Sequence, residues 1–229
     1  MPGDEFSRPL VAAPIRTRRL TLRPLRIAHA TEMARVLSDP ALHLFIGGEP
    51  LSAEELRARY GRMLAGPDDP AVSWCNWVIE LRERGDGGEP GTHPEPVEDG
   101  GPPVDDGEPS GEREPDGDGV RAGVEEGAGG GRLVGTVQAT VTASKAGLHP
   151  GRTAELAWVI GSAWQGRGIA TEAARGMAEW LEGRGVRTFV AHVAPGHVAS
   201  ATVARAVGLV RTGVMYDGED RWERRPDGG

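Results

Sequence analysis

The run Glu155-Leu156-Ala157-Trp158-Val159-Ile160 is followed, after four intervening residues, by Gln165-Gly166-Arg167-Gly168-Ile169-Ala170. The first run has the length and apolar content of a strand. The second opens a helix predicted from Gly168 to Arg184, with Ala173, Met177, Trp180 and Leu181 on one face. A glycine-containing turn between a strand and a helix gathers several backbone N–H groups at one point. The first four N–H groups of a helix have no internal partner, and the helix dipole adds partial positive charge. Such a turn favours a phosphate or pyrophosphate. Glycine also removes the side chain that would hold the backbone away from the anion.

No Lys-Ser/Thr pair ends this turn, so it is not a P-loop, and it lacks the first glycine of the dinucleotide-binding fingerprint. Its pattern Gln-x-x-Gly-x-Ala resembles the acetyl-CoA pyrophosphate loop of the GNAT family of N-acetyltransferases. The stretches Ala154-Glu155-Leu156-Ala157-Trp158-Val159-Ile160 and Ala170-Thr171-Glu172-Ala173 resemble the branch that acetylates ribosomal-protein N-termini and related amines. So does the opening Thr17-Arg18-Arg19-Leu20-Thr21-Leu22-Arg23-Pro24. The resemblance spans roughly residues 15–84 and 132–225. The plainer alternative is a glycine that only ends a strand and starts a helix.

Outward from the turn, Thr188–Val193 reads as a strand and Val198–Val207 as a helix ending at Gly208. Val210–Met215 and Arg221–Glu223 read as closing strands around Asp217-Gly218-Glu219-Asp220. In the first half, residues 1–14 are expected as a loose tail, and Leu20, Leu22 and Leu25 mark a first strand. Ile27 to Leu37 has helical spacing and is expected to stop at Ser38-Asp39-Pro40. Ser52-Ala53-Glu54-Glu55 matches a capping box that starts a helix carrying Leu56, Tyr60, Met63 and Leu64. Trp74–Leu81 and Leu133–Thr142 are predicted strands. The expected fold is α+β: a single mixed, mostly antiparallel central sheet flanked by helices, the acyl-CoA N-acyltransferase architecture that the resemblance implies.

Residues 85–131 hold 15 of the 35 glycines, 7 of the 18 prolines and 14 Asp/Glu against Arg113 and Arg121. This tract is net −12, so the rest of the −8 chain is about +4. It has no apolar periodicity and cannot bury enough surface to offset its ordering entropy. We therefore expect a disordered hairpin insertion interrupting one domain over 15–225. It is either an acidic arm for basic partners or a tolerated surface insertion. The single cysteine, Cys75, excludes an internal disulfide and a multi-cysteine zinc site, and in Ser73–Ile79 it reads as buried and inert. No apolar run approaches the length of a membrane span, and the N-terminus does not look like a secretory signal. A cytoplasmic protein is expected, a monomer or homodimer, with no metal, no membrane contact and no nucleic-acid partner.

Acetyl transfer from a thioester to an amine needs a held thioester, a neutral amine, a donor for developing charge and a proton for the departing thiolate. The resemblance implies acetyl-CoA as co-substrate. It places the pyrophosphate against Gln165, Gly166, Arg167, Gly168, Ile169, Ala170 and Thr171, with backbone N–H groups of Arg167, Gly168 and Ala170 facing it. Arg167 is either a phosphate ligand through its side chain or a free surface arginine. The resemblance also implies that the strand of Trp158, Val159 and Ile160 splays from its neighbour and pairs with the pantetheine arm. Glu155 is a candidate general base, directly or through water, because Trp158 provides an apolar wall nearby; the alternative is a surface carboxylate. Glu172 suits the dipole of the first helical turn. His197-Val198-Ala199-Ser200 matches an Asn-x-x-Ser segment of the family, with histidine in place of asparagine. Ser200 could bond the pantetheine end or protonate the thiolate, and His197 could contact the cofactor or cap the helix. The tyrosine that many family members place on this helix as general acid is absent between Val198 and Gly208. The acceptor would be an amine, a peptide N-terminus or a small molecule, with specificity in 39–52, 143–153 and the closing strands. Two other readings stay open: a non-catalytic CoA-binding or regulatory protein on the same scaffold, and an acidic interaction protein acting through 85–131.

Overall fold

Strict alternation along Val72–Leu81 turns Cys75, Trp77 and Ile79 to one side of a sheet and Val78 to the other, and all four are buried. A strand buried on both faces belongs at the centre of a layered fold. The computed structural model describes residues 8–82, 131–144 and 151–225. The chain divides into Met1–Glu83 with Gly130–Gly229, and Arg84–Gly129. The second unit, and with it nearly all of the expected insertion over 85–131, lies outside the described residues.

The described chain forms one eight-stranded sheet: β1 (Ile15–Arg16), β2 (Leu20–Pro24), β3 (Val72–Leu81), β4 (Arg132–Ser144), β5 (Gly151–Ile160), β6 (Val186–Val193), β7 (Val210–Tyr216) and β8 (Glu219–Arg224). The spatial order is β1-β2-β3-β4-β5-β6-β8-β7. Every pairing is antiparallel except β5 with β6. The mixed, mostly antiparallel α+β sheet is the expected one. One face packs against α4 (Ile169–Glu182) and α5 (Val198–Ala206), burying Leu20, Leu22, Trp77, Val137, Leu156, Phe189, Met177 and Leu181 together. The other face packs against α1 (Ala30–Val36) and α3 (Ala53–Ala65), burying Met33, Val36, Leu56, Tyr60 and Val78.

The helix from Ser52 starts as its sequence predicts. Ser52 Oγ accepts from Glu55 N–H, and the Glu55 carboxylate accepts from Ser52 N–H. The segment after Ser38 does not. Ser38-Asp39-Pro40 ends one helix and starts another, α2 (Pro40–Ile46). Asp39 Oδ1 accepts from Ala41 N–H, and Pro40 sits at the first helical position, where its missing N–H costs nothing. The expected tail is shorter than 14 residues: Leu10 N–H donates to Ser73 Oγ, and Trp77 Nε1–H donates to Ala13 C=O at 2.8 Å. Residues 1–7 lie outside the described residues. Cys75 is buried as expected, its thiol pushed up to about 11 by burial.

Candidate active site

The site begins where two strands part. β5 and β6 run parallel and pair from Arg152↔Val186 to Glu155↔Val190. β5 then continues to Ile160 with only its β4 edge paired, ending on Ile160↔Gly135. The β6 edge of Leu156–Ile160 is thus left without a ladder partner, and a cleft of about 440 Å³ opens there. Gly135 sets the β4 side of it. A Cβ at this position would meet Val159 C=O at 2.3 Å, so only glycine lets the two strands approach where β5 leans from β6.

Beyond Ile160 the chain reverses through a 3-10 turn at Ser162–Trp164. Gln165 closes the reversal by donating from Nε2 to Ile160 C=O at 3.0 Å. Gly166 and Gly168 both have φ of +71, the left-handed region that side chains disfavour. Gly168 is the N-cap of α4, and Ile169 is buried as its anchor. The first satisfied donor of this helix is Glu172 N–H, to Gly168 C=O. The N–H groups from Gly166 to Thr171 have no acceptor among the described residues. A cluster of free donors at a helix start, with no side chain on two of its residues, fits an anion of pyrophosphate size.

The turn is braced from a region 150 residues away. Arg19 Nη1–H donates to Arg167 C=O at 3.0 Å, and Arg19 Nε–H donates to Glu172 Oε2 at 2.6 Å. Glu172 Oε1 also accepts from Arg19 N–H and from Thr17 Oγ1–H. Burial pushes the Glu172 carboxyl up, but the bonds from Thr17 and Arg19 outweigh it and hold it below its usual range. Arg82 locks the same 17–20 turn from behind, donating to the carbonyls of Thr17, Arg18 and Leu20. Glu172 therefore ties helix to strand, beyond the dipole role expected for it.

A family model described as an acetyltransferase (GNAT) domain matches residues 19–103 and 111–210. The chain belongs to the GNAT acetyltransferase family. Among solved structures, the GNAT fold is shared with RimL, a ribosomal L7/L12 alpha-N-protein acetyltransferase in complex with coenzyme A. That match has a TM-score of 0.59 at 15% identity and covers 94% of this chain and 99% of that one. It is shared with Mycobacterium smegmatis RimJ in complex with a CoA-disulfide (TM-score 0.57, 16% identity, 93% and 86% covered). It is also shared with an aminoglycoside acetyltransferase in complex with coenzyme A (TM-score 0.56, 13% identity, 90% and 94% covered). No curated protein matches the sequence.

Within the GNAT cleft, the sequence-predicted residues fall on both walls. Glu155 is the last β5 residue paired with β6, its side chain 57% exposed, so solvent and an acceptor can reach it. Trp158, on the unpaired stretch, donates from Nε1 to Ser200 Oγ at 3.3 Å. Ser200 accepts there, which leaves its own O–H free to donate. Val159 is half-buried and Ile160 buried, on opposite faces. His197 stands at the N-cap of α5 but makes no side-chain cap bond. Its ring stacks on Phe45 of α2, with centroids 4.0 Å apart and planes at 8°, and burial lowers its pKa. Arg167 is exposed, and its side chain has no partner among the described residues.

Sequence reasoning missed four participants. Arg19 and Thr17 lie in a motif noticed only for its resemblance. Phe45 lies in a stretch expected as loop. His192, inside the predicted strand Thr188–Val193, places Nδ1 3.2 Å from Glu155 Oε1. Tyr216 is 67% exposed, its ring 5.2 Å from that of His192. His43 is held in α2, its ring nitrogens near the carbonyls of Gly47 and Leu37. Among the described residues, no group of three or more His, Cys, Asp and Glu could hold a metal ion, and no helix is long and apolar enough to cross a membrane.

Proposed function

We propose that the protein transfers acetyl from acetyl-CoA to a primary amine, a peptide N-terminus or a small-molecule amine, by direct attack within a ternary complex. One observation carries the reading. The unpaired edge of β5 begins at a reachable carboxylate, Glu155, and leads to the free backbone donors of 166–171. A pantetheine arm can pair with that edge, and a pyrophosphate can accept from those donors, with Gly166 and Gly168 giving it room. The motif resemblance at Thr17–Pro24 and Ala170–Ala173 supports an acceptor of the ribosomal-protein N-terminal kind, and a cytoplasmic setting goes with it.

The thioester supplies the activated acetyl group. Glu155 takes the proton of the attacking amine, directly or through water, and Ser200 Oγ–H gives a proton to the departing thiolate in place of the absent tyrosine. His197 and Trp158 wall the cofactor arm on the α5 and β5 sides.

Release of free thiol from acetyl-CoA, screened across N-terminal peptides, aminoglycosides, polyamines and amino acids, tests the activity and identifies the acceptor. Glu155→Gln keeps shape but cannot take a proton. It should lower kcat about 10²–10⁴-fold with acetyl-CoA affinity nearly intact, and the acidic limb of the pH–rate profile should disappear. Near-full turnover of this variant at neutral pH would make Glu155 structural. Acetyl-CoA binding without thiol release across the whole panel would favour a non-catalytic binding protein.

A further inference from the structure

His192 takes no part in the transfer chemistry just described, yet it is built into the apex of the cleft. Its side chain is only 12% exposed, and its Nδ1 lies 3.2 Å from Glu155 Oε1. Its Nε2 is buried, with no hydrogen-bond partner among the described residues. An ionised carboxylate only accepts, so Nδ1 carries the proton. The imidazole donates from Nδ1 to Glu155 Oε1.

The register explains why this histidine meets this glutamate. Glu155 pairs with Val190 at the last rung of the β5–β6 ladder, and His192 is the next β6 residue on the same face. The strands diverge beyond that rung, so the His192 ring spans the first step of the gap. The Tyr216 ring lies over it at 5.2 Å. No other side chain among the described residues bonds Glu155, so one carboxylate oxygen is tied and Oε2 is free.

We propose that His192 is a positioning residue for the transfer reaction: it holds Glu155 through Oε1 so that Oε2 faces the acceptor amine. A carboxylate more than half exposed otherwise samples several rotamers, most of them aimed at solvent. The inference rests on the reading of Glu155 as the base.

The experiment measures kcat and both KM values, with the acceptor from the thiol-release screen, for His192→Leu, His192→Ser and His192→Asn, each also in the Glu155→Gln background. Asparagine carries an N–H near the Nδ1 position; leucine has no donor and serine is too short to reach. The leucine and serine variants should lower kcat about 10–100-fold with KM for acetyl-CoA unchanged, and asparagine should restore most of the loss. In the Glu155→Gln background, none of the three should lower kcat further. Full turnover of a folded leucine or serine variant overturns the proposal. So does an equal loss in the Glu155→Gln background, or an asparagine variant as impaired as leucine. Full turnover of Glu155→Gln alone removes the base reading itself, a result distinct from any His192 outcome.

Discussion

At the Gly166–Thr171 turn, which follows the unpaired β5 edge, the chain is held by two left-handed glycines, the Gln165 amide and an ion pair from Arg19 to Glu172. Around Phe45, the cleft is lined by side chains of a seven-residue helix and by Glu219 of β8. Phe45 is 47% exposed, and its one ring partner is His197. The first presents backbone to a group that is the same in every turnover. The second presents side chains to whatever acceptor arrives. Rigid backbone donors suit an invariant anion, because they need no ordering when it binds. Exposed aromatic and aliphatic side chains can adjust, which suits a variable partner better than an invariant one.

Four perturbations break or sharpen this contrast. The largest effect is expected at the rigid end. Gly168→Asp forces an L side chain into φ of +71 and sets a carboxylate among the donors. The left-handed strain lowers stability, while the carboxylate repels the pyrophosphate from its donors, so acetyl-CoA affinity should fall about 100-fold or more. Calorimetry on the folded variant checks this, and unchanged affinity would remove the pyrophosphate reading of the turn.

Arg19→Gln tests the brace. It removes the guanidinium that holds both Arg167 C=O and Glu172. Hydrogen bonds to charged groups contribute about 1.5–3 kcal/mol, so a loss of this order in stability is expected, together with weaker acetyl-CoA binding. Its pH dependence has a definite sign. The folded-state pKa of Glu172 lies below its unfolded value, so the pairing stabilises fully above the ordinary glutamate pKa. The gap between parent and variant should close as the pH falls through the lowered value. Denaturant melts across acidic pH read it, and a gap that widened on acidification would contradict the assignment.

A smaller change is expected at the adaptable end. Phe45→Ala loses a ring stack of about 0.5–1.5 kcal/mol. KM for the acceptor should rise about 3–10-fold, by more than any change in acetyl-CoA affinity passed on through His197. Equal changes in both would place Phe45 in the cofactor site and erase the contrast. The smallest effect is expected from the acidic tract. Leu81 and Arg132 are register partners on β3 and β4, so a short turn can join them. Replacing residues 84–130 with a Gly/Ser turn should leave Tm within about 2 °C, since loop length alone costs little. A fall of 10 °C would show that this tract packs on the domain.

The contrast also marks what was legible in the sequence. The rigid end could be read because glycine spacing, a helix start and a preceding strand are local properties of Glu155–Glu172. The capping box at Ser52 and the β3 alternation were legible for the same reason. Helix α2 was not, because Ser38-Asp39-Pro40 carries a stop for one helix and a start for the next within three residues. Arg19 to Glu172 and His192 to Glu155 were invisible. Both depend on strand order and register, which no local pattern encodes. Ser200 could be placed near the cofactor by its motif, but its bond from Trp158 follows only from how α5 packs over β5.

The Arg19–Glu172 pair joins positions 153 residues apart. A chain emerging from the ribosome presents Arg19 long before its partner is made, and the donor cluster at 166–171 stays unbraced until β1 and β2 have docked against α4. Closing so long a loop carries an entropy cost that slows folding of the domain. A fragment starting at residue 132 would carry the turn, Glu155 and Ser200 together, yet it would lack the strand that holds the turn in shape. The shape of the turn therefore depends on segments from both ends of the described chain being present together.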